Sequence, residues 1–302
     1  MGTINSMRGD DNSMRGDVDS MRGDVDTTRG GRLVGLVLGG GAIGGGSWLW
    51  RQLEERARQR GEDPIRSADH IVATSAGAAV AALWAGGKIA GFTEAVEVVA
   101  ELTSKTPRLG RLDLANGLKG AVTSGVIAAE TLAEHFEPYL GDWPENLTIC
   151  VWDVEAWQRR TLSRRSAVPY ALAVAASCAV PPVIASARIP QQGRNGSAQA
   201  LTASDAGIST NTSADIAAQR PEGHEDNKPW EGAGHVDIYD PLGRLPRLPA
   251  PWEAAIWTQH QTQRRREQAA LQAAGWTSVH ITPTADEAAA IWRRPWKALK
   301  AA

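Results

Sequence analysis

Ile71-Val-Ala-Thr-Ser75-Ala-Gly77-Ala-Ala-Val-Ala-Ala-Leu-Trp-Ala-Gly-Gly87 passes from a short β-branched run through a Ser-x-Gly corner into an alanine-rich helix, with no loop between. A strand-to-helix elbow of this kind lifts a serine hydroxyl clear of the sheet, and its small neighbours permit the sharp turn. About thirty residues earlier, Leu33-Val-Gly-Leu-Val-Leu38 runs into Gly39-Gly-Gly-Ala-Ile-Gly-Gly-Gly46, a second strand-to-helix junction with a run of unhindered backbone N–H groups. An elbow serine alone is a weak signal. Preceded by a glycine loop able to stabilise an oxyanion, it points to nucleophilic catalysis.

Outward from these junctions the chain alternates strand and helix. Strands are predicted at Leu33–Leu38, Ile71–Ala73, Leu147–Asp153, Arg160–Ser163, Ala200–Ser204, His235–Tyr239 and Ser278–Ile281. Helices are predicted at Gly44–Arg60, Ser75–Trp84, Phe92–Leu102, Ile127–Tyr139, Tyr170–Cys178, Ala214–Gln219, Trp252–Ala274 and Asp286–Trp292. The first helix carries an apolar stripe at Trp48, Leu49, Leu53 and Ala57 and stops at Gly61. Pro181-Pro182 follows the Tyr170–Cys178 helix and ends it. Arg108–Gly125 is glycine-rich and irregular, and the polar Arg220–Glu231 stretch reads as a surface loop. This alternation predicts an α/β fold, with a mainly parallel sheet covered on both faces.

With 302 residues, 42% hydrophobic and 22% charged, the chain has the composition of one large soluble domain. A formal net charge of −2 leaves no electrostatic footprint for nucleic acid. Cys150 and Cys178 cannot form a disulfide framework and read as buried thiols. No apolar secretory segment opens the sequence, and Ile71–Gly87 is too short and too small-residue-rich for a membrane span, so a cytoplasmic protein is expected. Residues 1–31 read as a disordered N-terminal tail ahead of a single domain over 32–302. Within that tail Ser-Met-Arg-Gly-Asp recurs at 6–10, 13–17 and 20–24 with no apolar seam.

Two further segments complete a constellation: Ala175-Ala-Ser-Cys-Ala-Val-Pro-Pro-Val183 and Asp205-Ala-Gly207. In order and spacing, the glycine loop, the elbow, the Ala-Ser-x-Ala-x-Pro segment and the Asp-x-Gly turn resemble the patatin-like phospholipases over roughly Arg32–Trp292. That resemblance implies a three-layer α/β/α fold and hydrolysis of lipid carboxylic esters by a Ser-Asp dyad. It implies no cofactor and no metal, a lipid or ester substrate, and a transient membrane-surface contact. Carried over residue by residue, Ser75 is the nucleophile and Asp205 the base. Gly39, Gly40 and Gly41 form the oxyanion hole, and Ala42, Gly44, Ala73, Gly77 and Gly207 support the loop and elbow. The chain departs from the family pattern at Ile43, where a basic residue is usual, and at Ala73 and Ala206, where glycines are usual. A weak or inactive acyl-binding homologue therefore stays open.

Rival readings remain at this level. Gly39-x-Gly41-x-x-Gly44 also fits a dinucleotide fingerprint, but Thr74 and Ser75 stand where that motif needs a ribose-binding acid. A Ser-His-Asp triad would draw on His235 or His280, and His70 reads as a packing residue. Trp48 and Trp50 are candidates for an acyl pocket or for helix packing, and Arg264-Arg-Arg266 for a solvated helix face.

Overall fold

Alternating apolar side chains over Leu33–Leu38 (β1) serve two layers at once. Leu36 and Leu38 enter one core, and Val37 enters another on the opposite face. The computed structural model describes residues 32–88, 94, 97, 125, 127–181, 183–192, 198–219, 230, 232–246 and 251–293. The predicted repeat segment and nearly all of the Phe92–Leu102 helix, Arg108–Gly125 and Arg220–Glu231 lie outside these residues.

β1 leads into helix α1 (Ala42–Arg60), strand β2 (His70–Thr74) and helix α2 (Ala76–Ala85). After helix α3 (Ala129–Phe136), β3 (Leu147–Asp153) and β4 (Gln158–Leu162) form an antiparallel hairpin. Helix α4 (Tyr170–Ser177) precedes β5 (Ala187–Gln192) and β6 (Ala198–Asp205). The chain continues through β7 (Gly234–Tyr239), helix α5 (Pro251–Ala273), β8 (Thr277–Ile281) and helix α6 (Ala285–Arg293). The sheet order is β5-β6-β3-β2-β1-β7-β8, with β4 also on β3. The run from β3 to β8 is parallel, whereas β4, β5 and β6 are antiparallel additions.

Helices cover both faces, as the alternation predicts. Trp48, Leu49 and Leu53 of α1, Ala78–Leu83 of α2 and Ala173–Ala176 of α4 pack on Leu36, Leu38, Ile71 and Ile149. Leu271 of α5 packs with Ala214, Ala217 and Ala218 on Val37, Val72, Cys150, Val236 and Ile238. Among the described residues no helix is long and apolar enough to cross a membrane.

Three local expectations are corrected. Ala187–Gln192 forms a strand that the sequence does not announce, since Pro190 interrupts the run; β5 is an edge strand, where proline is tolerated. The predicted Ala214–Gln219 helix is a 3-10 turn over Ala214–Ala218, entered from Ser213 at φ 54°. The predicted Ile127–Tyr139 helix is shorter, with a 3-10 turn containing Pro138 after Phe136.

Pairing along β3 sets the position of the site. Cys150 pairs with Thr74 on β2 and Thr161 on β4, while Val151 pairs with Asp205 on β6 and Arg160 on β4. Since β4 occupies one edge throughout, β2 and β6 share the other and meet there end to end. The last residue of each strand, Thr74 and Asp205, sits opposite consecutive residues of β3. A parallel and an antiparallel strand thus deliver their C-terminal ends to the same point.

Candidate active site

Ser75 leaves β2 at φ 55°, ψ −127°, a left-handed backbone that a non-glycine residue adopts at a cost of about 1–3 kcal/mol. The surrounding contacts hold it there. Its N–H donates to Ser177 Oγ at 2.8 Å, and Ser177 Oγ donates onward to the Cys150 carbonyl at 2.7 Å. The Ser75 carbonyl accepts from Cys178 Sγ at 3.3 Å and from the Ala78 N–H at 2.8 Å. At Gly77 a Cβ would lie 2.1 Å from the Leu38 carbonyl oxygen, so only glycine lets α2 start so close to the end of β1. Ala73, fully buried beneath the elbow, keeps a negative φ and fits without strain.

Asp205 is buried, and its N–H donates to the Ala179 carbonyl at 2.9 Å, as does Ser204 Oγ at 2.7 Å. The segment Ser177-Cys178-Ala179 therefore ties both Ser75 and Asp205. The sequence marks that segment only by its pattern and assigns Ser177 no task. Burial pushes the Asp205 carboxyl up to about 6; hydrogen bonding by the Ser75 hydroxyl and by the Gly207 N–H, at 2.7 Å from Oδ1, opposes that rise. The nearby Cys178 thiol is pushed up well beyond its ordinary range by burial and by the Asp205 charge. Ala206 has no positive φ, so its methyl strains nothing.

The glycine loop lies against the elbow. A Cβ on Gly40 would come 3.0 Å from Ser75 Cβ and 2.9 Å from Asn211 Oδ1. Here the expectation of three oxyanion donors needs correction. The Gly39 N–H already donates to the Tyr239 carbonyl, and the Gly40 N–H to the Asn211 carbonyl, each at 2.9 Å. The N–H groups of Gly41 and Ala42 have no such partner among the described residues, and the first turn of α1 begins there. Ala42 is itself strained at φ 49°. A Cβ on Gly44 would come 3.1 Å from Ile291 Cα of α6, and Ile43 is half-buried with no cation in its place.

Asn211 had no sequence signal, yet it joins the loop to β7. Its carbonyl receives Gly40, and its Nδ2 donates to Asp240 Oδ1 at 2.7 Å. Glu267 of α5, buried, accepts from the hydroxyls of Thr210 and Thr212 and from the Ala214 N–H, fixing the chain on either side of Asn211.

Neither candidate triad histidine reaches Ser75. His235 aligns through Val34 and Gly35 with the start of β2, six residues before Ser75, or roughly 20 Å along a strand. Its ring bonds Thr277 and Asp237. His280 lies on β8, three strands away from β2, or roughly 14 Å across the sheet. His70 is fully buried between the Ala217 carbonyl and Thr148, a packing role. Trp48 packs on Tyr239 and Trp50 on Trp84, so both are at helix contacts. Arg264 is half-buried against Asp240, whereas Arg265 and Arg266 are exposed. Among the described residues there is no group of three His, Cys, Asp or Glu side chains able to hold a metal ion.

A parallel-sheet α/β protein with a strained elbow serine beside a glycine loop is a recognisable class. The family model for patatin-like phospholipase matches residues 36–218, and the chain belongs to that family. No curated protein matches it. Family membership implies a lipid acyl hydrolase.

Proposed function

We propose that the protein is a serine acyl hydrolase that cleaves carboxylic esters of lipids with Ser75 as nucleophile and Asp205 as general base. The observation that carries this reading is the meeting of a strained elbow hydroxyl with a buried carboxylate whose pKa lies near 6 and which has no cationic partner among the described residues. An ordinary aspartate, near 3.9, is a poor base; one near 6 is better matched to taking a hydroxyl proton at neutral pH.

In the reaction, Ser75 Oγ bonds to the ester carbonyl carbon as its proton passes to Asp205. The carbonyl oxygen becomes an oxyanion, received by the Gly41 and Ala42 N–H groups at the start of α1, where the helix dipole adds to the two donors. Collapse breaks the carbon–oxygen bond to the alcohol, which leaves with the proton from Asp205. Water then attacks the acyl-Ser75 ester, giving a proton to Asp205, and the fatty acid departs as Ser75 recovers it. Removing one oxyanion donor typically costs about 3–4 kcal/mol of transition-state stabilisation.

Labelling with a fluorophosphonate probe, followed by peptide mapping and assay on short and long acyl esters, tests the reading. The probe is expected on Ser75 and is lost in Ser75→Ala, while His235→Ala and His280→Ala label normally. No labelling and no turnover on any ester would instead favour an acyl-binding homologue without catalysis.

A further inference from the structure

The matched family region ends at residue 218, yet the turn that carries Asp205 is gripped from beyond it. Two neighbouring side chains of α5 donate to consecutive carbonyls of that turn. His260 Nε2 donates to the Gly207 carbonyl at 3.0 Å, and Gln259 Nε2 donates to the Ile208 carbonyl at 2.7 Å. A carbonyl can only accept, so His260 carries its proton on Nε2. Its Nδ1 is buried with no hydrogen-bond partner among the described residues. Gly207 in turn gives its own N–H to Asp205 Oδ1.

We propose that His260, assisted by Gln259, is a positioning residue for the base: it locks Gly207 so that the Gly207 N–H holds one oxygen of Asp205 and leaves the carboxylate oriented toward Ser75. The inference rests on the Ser75–Asp205 reading. It goes beyond that reading by assigning the orienting function to a helix outside the family-matched segment.

The arrangement suits a neutral imidazole. Burial holds His260 below its ordinary pKa, against the opposing influences of the Gly207 carbonyl and of Asp240, which faces it from the end of β7. Its own helix adds Arg264 one turn on, bonded to Asp240 and Gln261. Around Asp205 the influences are burial, the Ser75 hydroxyl and the Gly207 N–H, with the Cys178 thiol nearby. A slack Gly207 removes one stabiliser of the carboxylate, so the base becomes harder to ionise and less well aimed.

The test is the pH profile of kcat/KM on p-nitrophenyl butyrate for wild type, His260→Leu, His260→Gln and Gln259→Ala, with folding followed by circular dichroism. His260→Leu is expected to lower kcat by about tenfold with KM little changed, and to move the acid limb to higher pH. His260→Gln restores a donor near the Nε2 position and returns the limb toward wild type. Gln259→Ala, at an exposed site, gives a smaller shift in the same direction. A folded His260→Leu with the wild-type limb overturns the proposal, as does a His260→Gln enzyme as impaired as His260→Leu. Should His260→Leu fail to fold, an unmoved limb in Gln259→Ala overturns it. Failure of the underlying reading looks different: wild type would not label at Ser75, or Asp205→Asn would keep its activity.

Discussion

Asp205 and Asp237 are both buried, and they do opposite work. Asp237, in the middle of β7, faces Arg56 and Arg60 of α1 and His235 of its own strand. Asp205, where β6 meets β2, has a hydroxyl and a backbone N–H and, among the described residues, no cation beside it. A carboxylate paired with a buried guanidinium cannot be removed without stranding that charge in the core. A carboxylate buried without such a partner resists ionisation and is poised to take up a proton. On the proposed reading, the same residue type is an anchor in one region and a base in the other, through its neighbours alone.

Removing each acid should separate these roles most clearly. Asp205→Asn keeps shape and removes the base, so ester turnover should fall by about 10²–10⁴. The same change should stabilise the fold. Its folded pKa, about 6, lies above the unfolded value, so the wild-type protein carries the cost of a buried charge above pH 6, and this cost fades as pH falls toward 4. Asp205→Asn should therefore melt higher than wild type at pH 8, with the difference closing near pH 4. Asp237→Ala should do the reverse. It strands Arg56 in the core and should lower stability by about 3–5 kcal/mol, read by denaturant titration, with turnover per folded molecule unchanged.

Finer contrasts lie in the alanines that depart from the family pattern. Ala73→Gly and Ala206→Gly restore that pattern, yet both positions have ordinary backbone angles. Each should leave turnover unchanged and lower stability by about 0.4–1 kcal/mol, through the greater freedom of the unfolded chain. Ala42→Gly should go the other way. Relief of about 1–2 kcal/mol of left-handed strain exceeds that entropy loss, so the melting temperature should rise slightly.

What the sequence made legible follows the same division. The parallel strands and the elbow announced themselves because β-branched runs abut glycines at Gly39 and Gly77, and close backbone approach leaves a compositional trace. The partnership of Ser75 with Asp205 was legible only as a spacing of motifs. The physical cause is β2 and β6 meeting on one edge of β3, which is tertiary. Pro190 concealed β5. The N–H groups proposed as oxyanion donors were legible as a loop and not as atoms, since the sequence does not tell which N–H groups Tyr239 and Asn211 already occupy. Asn211, His260 and Glu267 are ordinary polar residues in sequence. Each gains its role through contacts with residues at least 29 positions away.

The claim that Ser75 is activated by a histidine-free, desolvated carboxylate is met most directly by the pH dependence of its modification. The second-order rate of fluorophosphonate labelling at Ser75, followed from pH 4 to pH 9, should fall along one acid limb centred near 6. That limb should be the same in His235→Ala and His280→Ala, and Asp205→Asn should show a low, flat rate. A limb that disappears in either histidine variant, or Asp205→Asn labelling with the wild-type rate and profile, would contradict the account.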